Sequence, residues 1–563
     1  MAEVLLSPGV LSIENDQSQV TQGPITVGAA IIGPTVKGPV EIPTLVTSYS
    51  DYVNKFGTTF VSGGDVYSYF TSIAAYNYFN NGGESLLVAR VVSGAYSSAT
   101  STAISGAIGN ALVLETISEG TIMNSSSSLD SAGGLASGST DNIRWQVVSP
   151  DTSSGTFSLL VRQGNDTSNS PIVLETWTNL SLDPKAPNYV SKVIGDYTLN
   201  YNPTNNQIEI SGSYPNASRY VRVKSVNNTP DYFDNNGVAK SQYTASIPVA
   251  ASGSFTGATG GIMVGGQYYN NITDGNKSQG IPSASYDDMI DLLSNQDDYK
   301  FNVLLAPGLF NSLHSSQVST IITNTQDRGD SLFVLDLVTY GSTVTSVTSQ
   351  AASRDTSYAA SYWPWCQIQD PSSGKNVWVP ASVLIAGVYA YNDRVAEPWF
   401  APAGINRGGL GTVIRAEQKL PQSSRDTLYQ GKVNPIATFP GTGTVVYGNK
   451  TLQTKASALD RVNVRRLLIA LKSYIGQVAN TLVFEQNTTA TRNQFLAQVN
   501  PYLESVQQRQ GLYAFRVVMD DSNNTPDVID RNQLVGAIYL QPTKTAEFIY
   551  LNFNITPTGA TFA

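Results

Sequence analysis

The sequence predicts an α/β chain of the α+β multidomain type, on three observations. Its 563 residues exceed the roughly 250–300 at which a single hydrophobic core stops growing. Helical and extended patterns alternate in the order helix Tyr286–Leu293, strand Asn302–Ala306, helix Ser315–Asp327, strand Ser331–Leu337, a βαβ signature that predicts a small parallel sheet. Between them and the N-terminal elements, residues 93–265 change texture to Ser, Thr, Gly and Asn with short strands, as expected of a β-rich insertion.

In chain order, residues 1–20 form an extended arm of mixed polarity, closed by Gly23-Pro24. Ile25–Ile32 reads as a strand, Ser50–Phe56 and Tyr67–Phe79 as helices, and Leu86–Val92 as a buried strand. Inside the insertion the strands are Ile143–Val148, Phe157–Arg162 and Ile172–Thr176. These elements divide the chain into the arm, a middle α/β domain over 21–92 plus 266–410, the insertion over 93–265, and a C-terminal domain over 411–563.

The last hundred residues carry the strongest patterning. From Asp460 to Val478, Val464, Leu467, Leu468, Leu471, Tyr474, Ile475 and Val478 recur at steps of three and four and share one face of a helix, with Asp460 as its N-cap. Arg461, Arg465 and Lys472 fall within about 40° on the same wheel, a basic stripe beside the apolar face, with Arg466 off it. Two alternating strands follow around Tyr513–Met519 and Leu534–Leu540. A third, Glu547–Ile555, sets Ile549, Leu551, Phe553 and Ile555 against Phe548 and Tyr550; a strand so apolar needs a sheet to join.

The net charge of −9 is uneven: from Gly411 onward 15 Lys and Arg face 10 Asp and Glu, so the acidic excess lies in the first 410 residues. A nucleic-acid binder needs a denser basic patch than this. One cysteine, Cys366, excludes an intrachain disulfide framework and points to folding in a reducing compartment. The start MAEVLLSPGV lacks the pattern of a signal peptide, and no run of about 18 apolar residues marks a membrane span, so neither export nor membrane insertion is expected.

The residues offer little chemistry. With His314 as the single histidine, a metal cage or two-histidine motif built on histidine is excluded; it begins a helix, where a surface or cap role is expected. Cys366, among aromatics, reads as a packing residue. Gly441 and Gly443 resemble a phosphate loop, but the segment continues as a strand instead of a helix N-terminus. The run Asp520–Asn524 lacks the Gly and Glu of a calcium loop and reads as a turn. In Arg328-Gly329-Asp330, Gly329 reads as a helix terminator, and no catalytic, cofactor or metal site is expected.

An ordered set of motifs then resembles the tail sheath proteins of contractile-tailed bacteriophages. It comprises Arg461-Val-Asn-Val-Arg-Arg-Leu-Leu, Phe484-Glu485, Tyr513-Ala-Phe-Arg-Val-Val, Asn523 to Asn532 and Ile538-Tyr-Leu-Gln-Pro542. Leu6-Ser-Pro-Gly-Val, Val379-Pro-Ala-Ser, Ala401-Pro-Ala-Gly, Asn406-Arg-Gly and Asn434-Pro-Ile add to it, while 93–265 is much less similar.

The resemblance implies a non-enzymatic subunit of a six-fold helical homopolymer, a sleeve that surrounds a tail tube and contracts to drive it through the host envelope for genome ejection. It further implies tail tube, baseplate and tail terminator proteins as partners, a place in the virion, assembly in the host bacterial cytoplasm, and no cofactor. In that picture the C-terminal domain, completed by the N-terminal arm, is innermost and the insertion protrudes. Val4, Leu6, Val10 and Ile13 of the arm, and Phe548, Ile549, Tyr550, Leu551, Phe553 and Ile555 of the last strand, are then the candidates for strand exchange between subunits, and Arg461, Arg465 and Lys472 for tube contacts. A headless contractile particle, a tailocin or secretion system, is the alternative setting. From another class, Trp145 and Trp177 could stack on sugars in a carbohydrate-binding insertion.

Overall fold

Strands buried on both faces are apolar without alternation, and Leu86–Arg90 and Leu332–Asp336 are buried at every position. In the computed structural model, which describes residues 26–101, 104–107, 109–261 and 266–550, both lie inside an eight-stranded sheet. Its strands are β1 (Thr26–Gly33), β2 (Thr44–Val46), β3 (Leu86–Arg90), β4 (Lys300–Phe310), β5 (Leu332–Asp336), β6 (Ala359–Trp363), β7 (Asn434–Phe439) and β8 (Gly443–Val446), in the order β2-β3-β1-β4-β5-β6-β7-β8. Pairing is parallel from β3 through β7 and antiparallel at β2 and β8. Ala29 and Ile31 of β1 join a core with α1 (Phe70–Asn80) and α3 (Ser382–Val395), whereas Ala30 and Ile32 join a second core with α2 (Ser315–Arg328). Helices thus cover both faces, the arrangement that a βαβ pattern requires.

Between β3 and β4 the chain leaves to build a second, wholly antiparallel sheet with strands from Ser98 to Thr256. Its own core includes Trp145, Phe157 and Leu159. Trp145 is therefore a packing residue, not one free to stack on a sugar, and Trp177 is half-buried against the same core. At the junction with the central sheet, Lys37 pairs with Asp141 at 3.2 Å, and Arg90 donates to the carbonyls of Gly38 and Glu119. A hairpin of Thr198–Asn202 and Gln207–Ser211 returns to lay Tyr201 and Ile208 on the central core.

Past β8 come α4 (Val462–Asn480), α5 (Thr489–Gln508) and a hairpin of β9 (Leu512–Val518) and β10 (Ala537–Pro542). Leu467, Leu471 and Val478 of α4 pack with Phe495, Val499 and Leu503 of α5 in a separate core.

Several expectations need correction. The boundary drawn at Gly411 is too early, because β7 and β8 complete the central sheet and only from Val462 does the chain turn to the last core. The helix expected from Tyr67 begins at Phe70, since Asp65–Ser68 pairs with Thr59–Ser62. Asp460 is not the N-cap of α4; it ends a preceding 3-10 turn, and the extended Arg461 takes the cap position with no side-chain cap. His314 does precede α2 but is buried, its Nδ1 accepting the Phe310 amide at 3.1 Å instead of capping the helix or facing solvent. Gly329 ends α2 with left-handed φ of 68°, as expected of a terminator, and Arg328 beside it is buried on Asp330 and the Leu293 and Tyr299 carbonyls.

Two positions give predictions. Asp336 ends β5, fully buried, its carboxylate accepting the amide and hydroxyl of Ser382 at the start of α3, and desolvation outweighs these bonds and lifts its pKa to about 7 from 3.8. Between those values the unfolded chain releases a proton that the folded chain keeps, so the stability tied to this group is present at acid pH and falls as pH rises, by up to about 4 kcal/mol. Asp336→Asn should remove that fall, so that denaturant titrations at about pH 4 and pH 8 show the variant gaining on the parent protein by about that amount. In the loop between α4 and α5, Phe484 is fully exposed with φ of +73°. Phe484→Gly relieves a left-handed conformation and loses no packing, so melting should show stability unchanged or higher by about 1 kcal/mol; a clear fall would mean that the ring is packed.

Candidate assembly surface

Of the three residues in the expected basic stripe, only Lys472 is exposed. Arg465 is buried, its guanidinium 4.0 Å from the centre of the Tyr358 ring and donating to the Ser357 hydroxyl. Arg461 spends its Nε and Nη2 on the two carboxylate oxygens of Glu547, at 2.6 and 3.0 Å, with Asp460 3.0 Å from Nη1. Arg466, off the stripe, is also buried, paired with Asp393 and stacked 4.7 Å over Tyr389. A helical wheel sees the spacing of these side chains but not their surroundings: Val462 through Leu467 are all buried, Val462 in the core with β1 and α3 and Leu467 in the core with α5. The free cationic stripe is thus reduced to Lys472, 3.4 Å from the Tyr358 hydroxyl. It borders a groove of about 680 Å³ between the second half of α4 and the start of β4, with Lys300, Phe301, Arg328 and Gln477 in the wall.

The hairpin is an incomplete sheet. β9 and β10 pair only with each other, so among the described residues each keeps an outer edge without a strand partner, the Tyr513 and Val518 carbonyls of β9 accepting from the Gln507 and Asn523 side chains. One face is filled from the last core, by Phe515, Val517, Ile538 and Leu540, while Tyr513 and Tyr539 are more than half exposed. A two-stranded ribbon in water is marginal by itself, and α5 supplies the support that keeps it formed.

After Pro542 the chain does not continue as a strand. Thr543 donates its amide to Gly511, Glu547 is held by Arg461 and by the Tyr429 hydroxyl at 2.6 Å, and Phe548, Ile549 and Tyr550 project into solvent, 69%, 76% and 89% exposed. The strand expected from Glu547 is therefore absent over 547–550 within a single chain, because no ladder partner lies beside it. Leu551, Phe553 and Ile555, like Val4, Leu6, Val10 and Ile13, lie outside the described residues.

Sequence reading missed the Tyr429–Arg461–Glu547 contact, which joins residues far apart in the chain. Its one local signal is that Glu547 is the only acidic residue after Asp530, set against an apolar run. Cys366 is buried, and desolvation pushes its thiol up to about 12, away from the reactive thiolate. Among the described residues no group of three or more His, Cys, Asp and Glu could hold a metal, and no helix is long and apolar enough to cross a membrane.

Comparison with known proteins agrees with this division of the chain. Residues 283–452 match the family model of the phage tail sheath protein central domain, and residues 454–556 that of the phage tail sheath C-terminal domain, so the junction falls after β8 and before α4. The chain is similar to the tail sheath protein of Vibrio phage KVP40, 46% identical over 194 residues, which are 34% of this chain and 29% of the relative. It is 43% identical over 193 residues to the tail sheath protein of Enterobacteria phage T4, with the same coverage of 34% and 29%. To that of Salmonella phage ViI it is 29% identical over 286 residues, 47% of this chain and 45% of the relative. The chain thus spans less than half the length of each of these curated relatives. In fold it resembles the crystal structure of the sheath tail protein of Listeria innocua, with a TM-score of 0.54 at 11% identity over 92% of this chain and 95% of that one. Residues 283–452 and 454–556 thus carry the central and C-terminal domains of the phage tail sheath family.

Proposed function

We propose that this chain is the structural subunit of a phage contractile tail sheath, a component of the virion that polymerises as a six-fold helical sleeve around the tail tube. On contraction the sleeve drives the tube through the host envelope so that the genome can be ejected. The observation that carries this reading is the incomplete hairpin beside an exposed apolar tail: free edges and a segment able to fill one are present in the same chain. A donated strand is a head-to-tail contact, and head-to-tail contacts that do not close on themselves generate helices. Main-chain ladders also suit a lattice that must rearrange, since they survive rotation of one rigid body against another.

In this reading Phe548, Ile549 and Tyr550, continued by Leu551, Phe553 and Ile555, are the donated strand, and Val4, Leu6, Val10 and Ile13 of the arm join the same exchanged sheet. Of Arg461, Arg465 and Lys472, the exposure of Lys472 supports it as the contact to an acidic tube surface. Exposed pairs of this kind are worth about 0–1 kcal/mol each, weak enough to release singly and appreciable when repeated around a ring. Baseplate and terminator proteins complete the set of partners. The subunit acts without catalysis: the work of contraction comes from a lower-energy set of subunit contacts in the contracted lattice, the extended one being metastable.

Negative-stain electron microscopy of the full chain expressed alone tests the proposal, with hollow tubular polymers of six-fold cross-section as the expected result. Removing residues 546–563 should abolish those polymers and leave a folded monomer by circular dichroism. Normal tubes from the truncated chain would overturn strand exchange as the assembly contact.

A further inference from the structure

The tail has an alternative partner that needs no second chain. Only residues 543–546 separate the end of β10 from Glu547, and connections of two to five residues are those that fold strands into hairpins. The apolar run from Phe548 onward could therefore turn back, lie antiparallel on the free outer edge of β10 and complete the sheet within its own subunit. Over the described residues 548–550 it forms no such pairing.

What opposes that closure is the contact at Glu547. Both carboxylate oxygens are engaged by Arg461 at the entrance of α4, and one also accepts the hydroxyl of Tyr429, which lies on the helix Gln422–Gln430 of the central domain. Tyr429 is itself held in place: the Lys450 ammonium lies 4.2 Å from the ring centre and donates to the Tyr429 carbonyl at 2.8 Å. At the other end Thr543 is pinned to Gly511 by its amide and to Gln510 by its hydroxyl. The link is thus fastened at both ends, with its far end on the central domain and not on the hairpin. Bidentate carboxylate–guanidinium contacts fix direction as well as distance. The residues that follow leave the clamp exposed.

We propose that the Tyr429–Arg461–Glu547 clamp is a positioning device that keeps the terminal strand from completing its own hairpin and presents it to a second copy of the chain. The proposal rests on the strand-exchange reading above. The second copy is the occupant because every copy carries the same unfilled edges that this chain is held away from filling itself.

The test uses the full chain with Glu547→Ala, Glu547→Asp and Tyr429→Phe, compared with the parent protein and with the chain lacking residues 546–563. Polymer is measured by sedimentation, and backbone protection in the monomer by hydrogen exchange. Glu547→Ala is expected to raise the critical concentration for polymerisation about tenfold. Its monomer should melt no lower than the parent, with new protection at the amides of residues 537–542. Tyr429→Phe should act in the same direction but less, and Glu547→Asp should recover part of the loss. An unchanged critical concentration in Glu547→Ala, while the truncation abolishes polymer, overturns the clamp and leaves strand exchange standing. A fall in monomer stability with no new protection overturns it as well, by reducing Glu547 to a structural contact. Normal polymer from the truncated chain overturns both readings together.

Discussion

Everything distinctive about the C-terminal region follows from unsatisfied main-chain hydrogen bonding. A backbone amide or carbonyl needs a partner, and water serves at an exposed edge only at the risk of indiscriminate pairing. Folded proteins commonly blunt such edges with charge, proline or a covering helix, and here α5 covers one face of the β9–β10 hairpin while leaving its edges open. A chain that keeps two such edges beside an exposed run of Phe548, Ile549 and Tyr550 has left part of its sheet to be completed elsewhere. For a chain that carries tail sheath domains this incompleteness gives a reason for assembly that depends on backbone geometry more than on any one side chain.

The same constraint explains how three arginines on one helix come to do three different things. Arg466 joins α4 to α3 through Asp393, Arg465 stacks on Tyr358 near the far side of the central sheet, and Arg461 holds the tail through Glu547. Burying a guanidinium is costly unless its donors are met, and each of these finds a carboxylate, a hydroxyl or an aromatic face. The helix is thereby keyed to the central domain in one register. A loosely docked α4 would let α5 and the hairpin drift, and strand donation from a drifting platform would lose the precise direction that a repeating lattice requires.

How much of this could be read from the sequence depends on the range over which each signal acts. The βαβ alternation was legible because apolar periodicity is local, so Ser315–Arg328 and Leu332–Asp336 fall within a residue or so of where the pattern puts them. Helix α5 was not, because Gln498 and Asn500 flank Val499 and Pro501 sits inside the element. Its existence depends on tertiary packing against α4, which no window of sequence contains. The basic stripe failed for the related reason that a wheel assigns angles but not neighbours: the spacing of Arg461 and Arg465 was right and their environment was not. Glu547 stood out in composition, yet its partners are 86 and 118 residues away.

A hinge between rigid parts also needs parts that are rigid. The insertion is tied to the central sheet by Lys37–Asp141, by Arg90 on two carbonyls and by Glu119, whose carboxylate accepts the Val40 amide at 2.9 Å; the Tyr201–Ile208 hairpin then bears on the central core from a second side. Two attachment points at different places on a body remove rotations that a single linker would permit. The segment after β10 has the opposite design, two pinned ends around four residues and then the exposed Phe548, Ile549 and Tyr550. Under the strand-exchange proposal, motion of such a subunit would be concentrated where its neighbours are held, so that a lattice could change its geometry while each core stays intact. In the proposed sheath, that separation would let the polymer store free energy in its contacts and release it as movement.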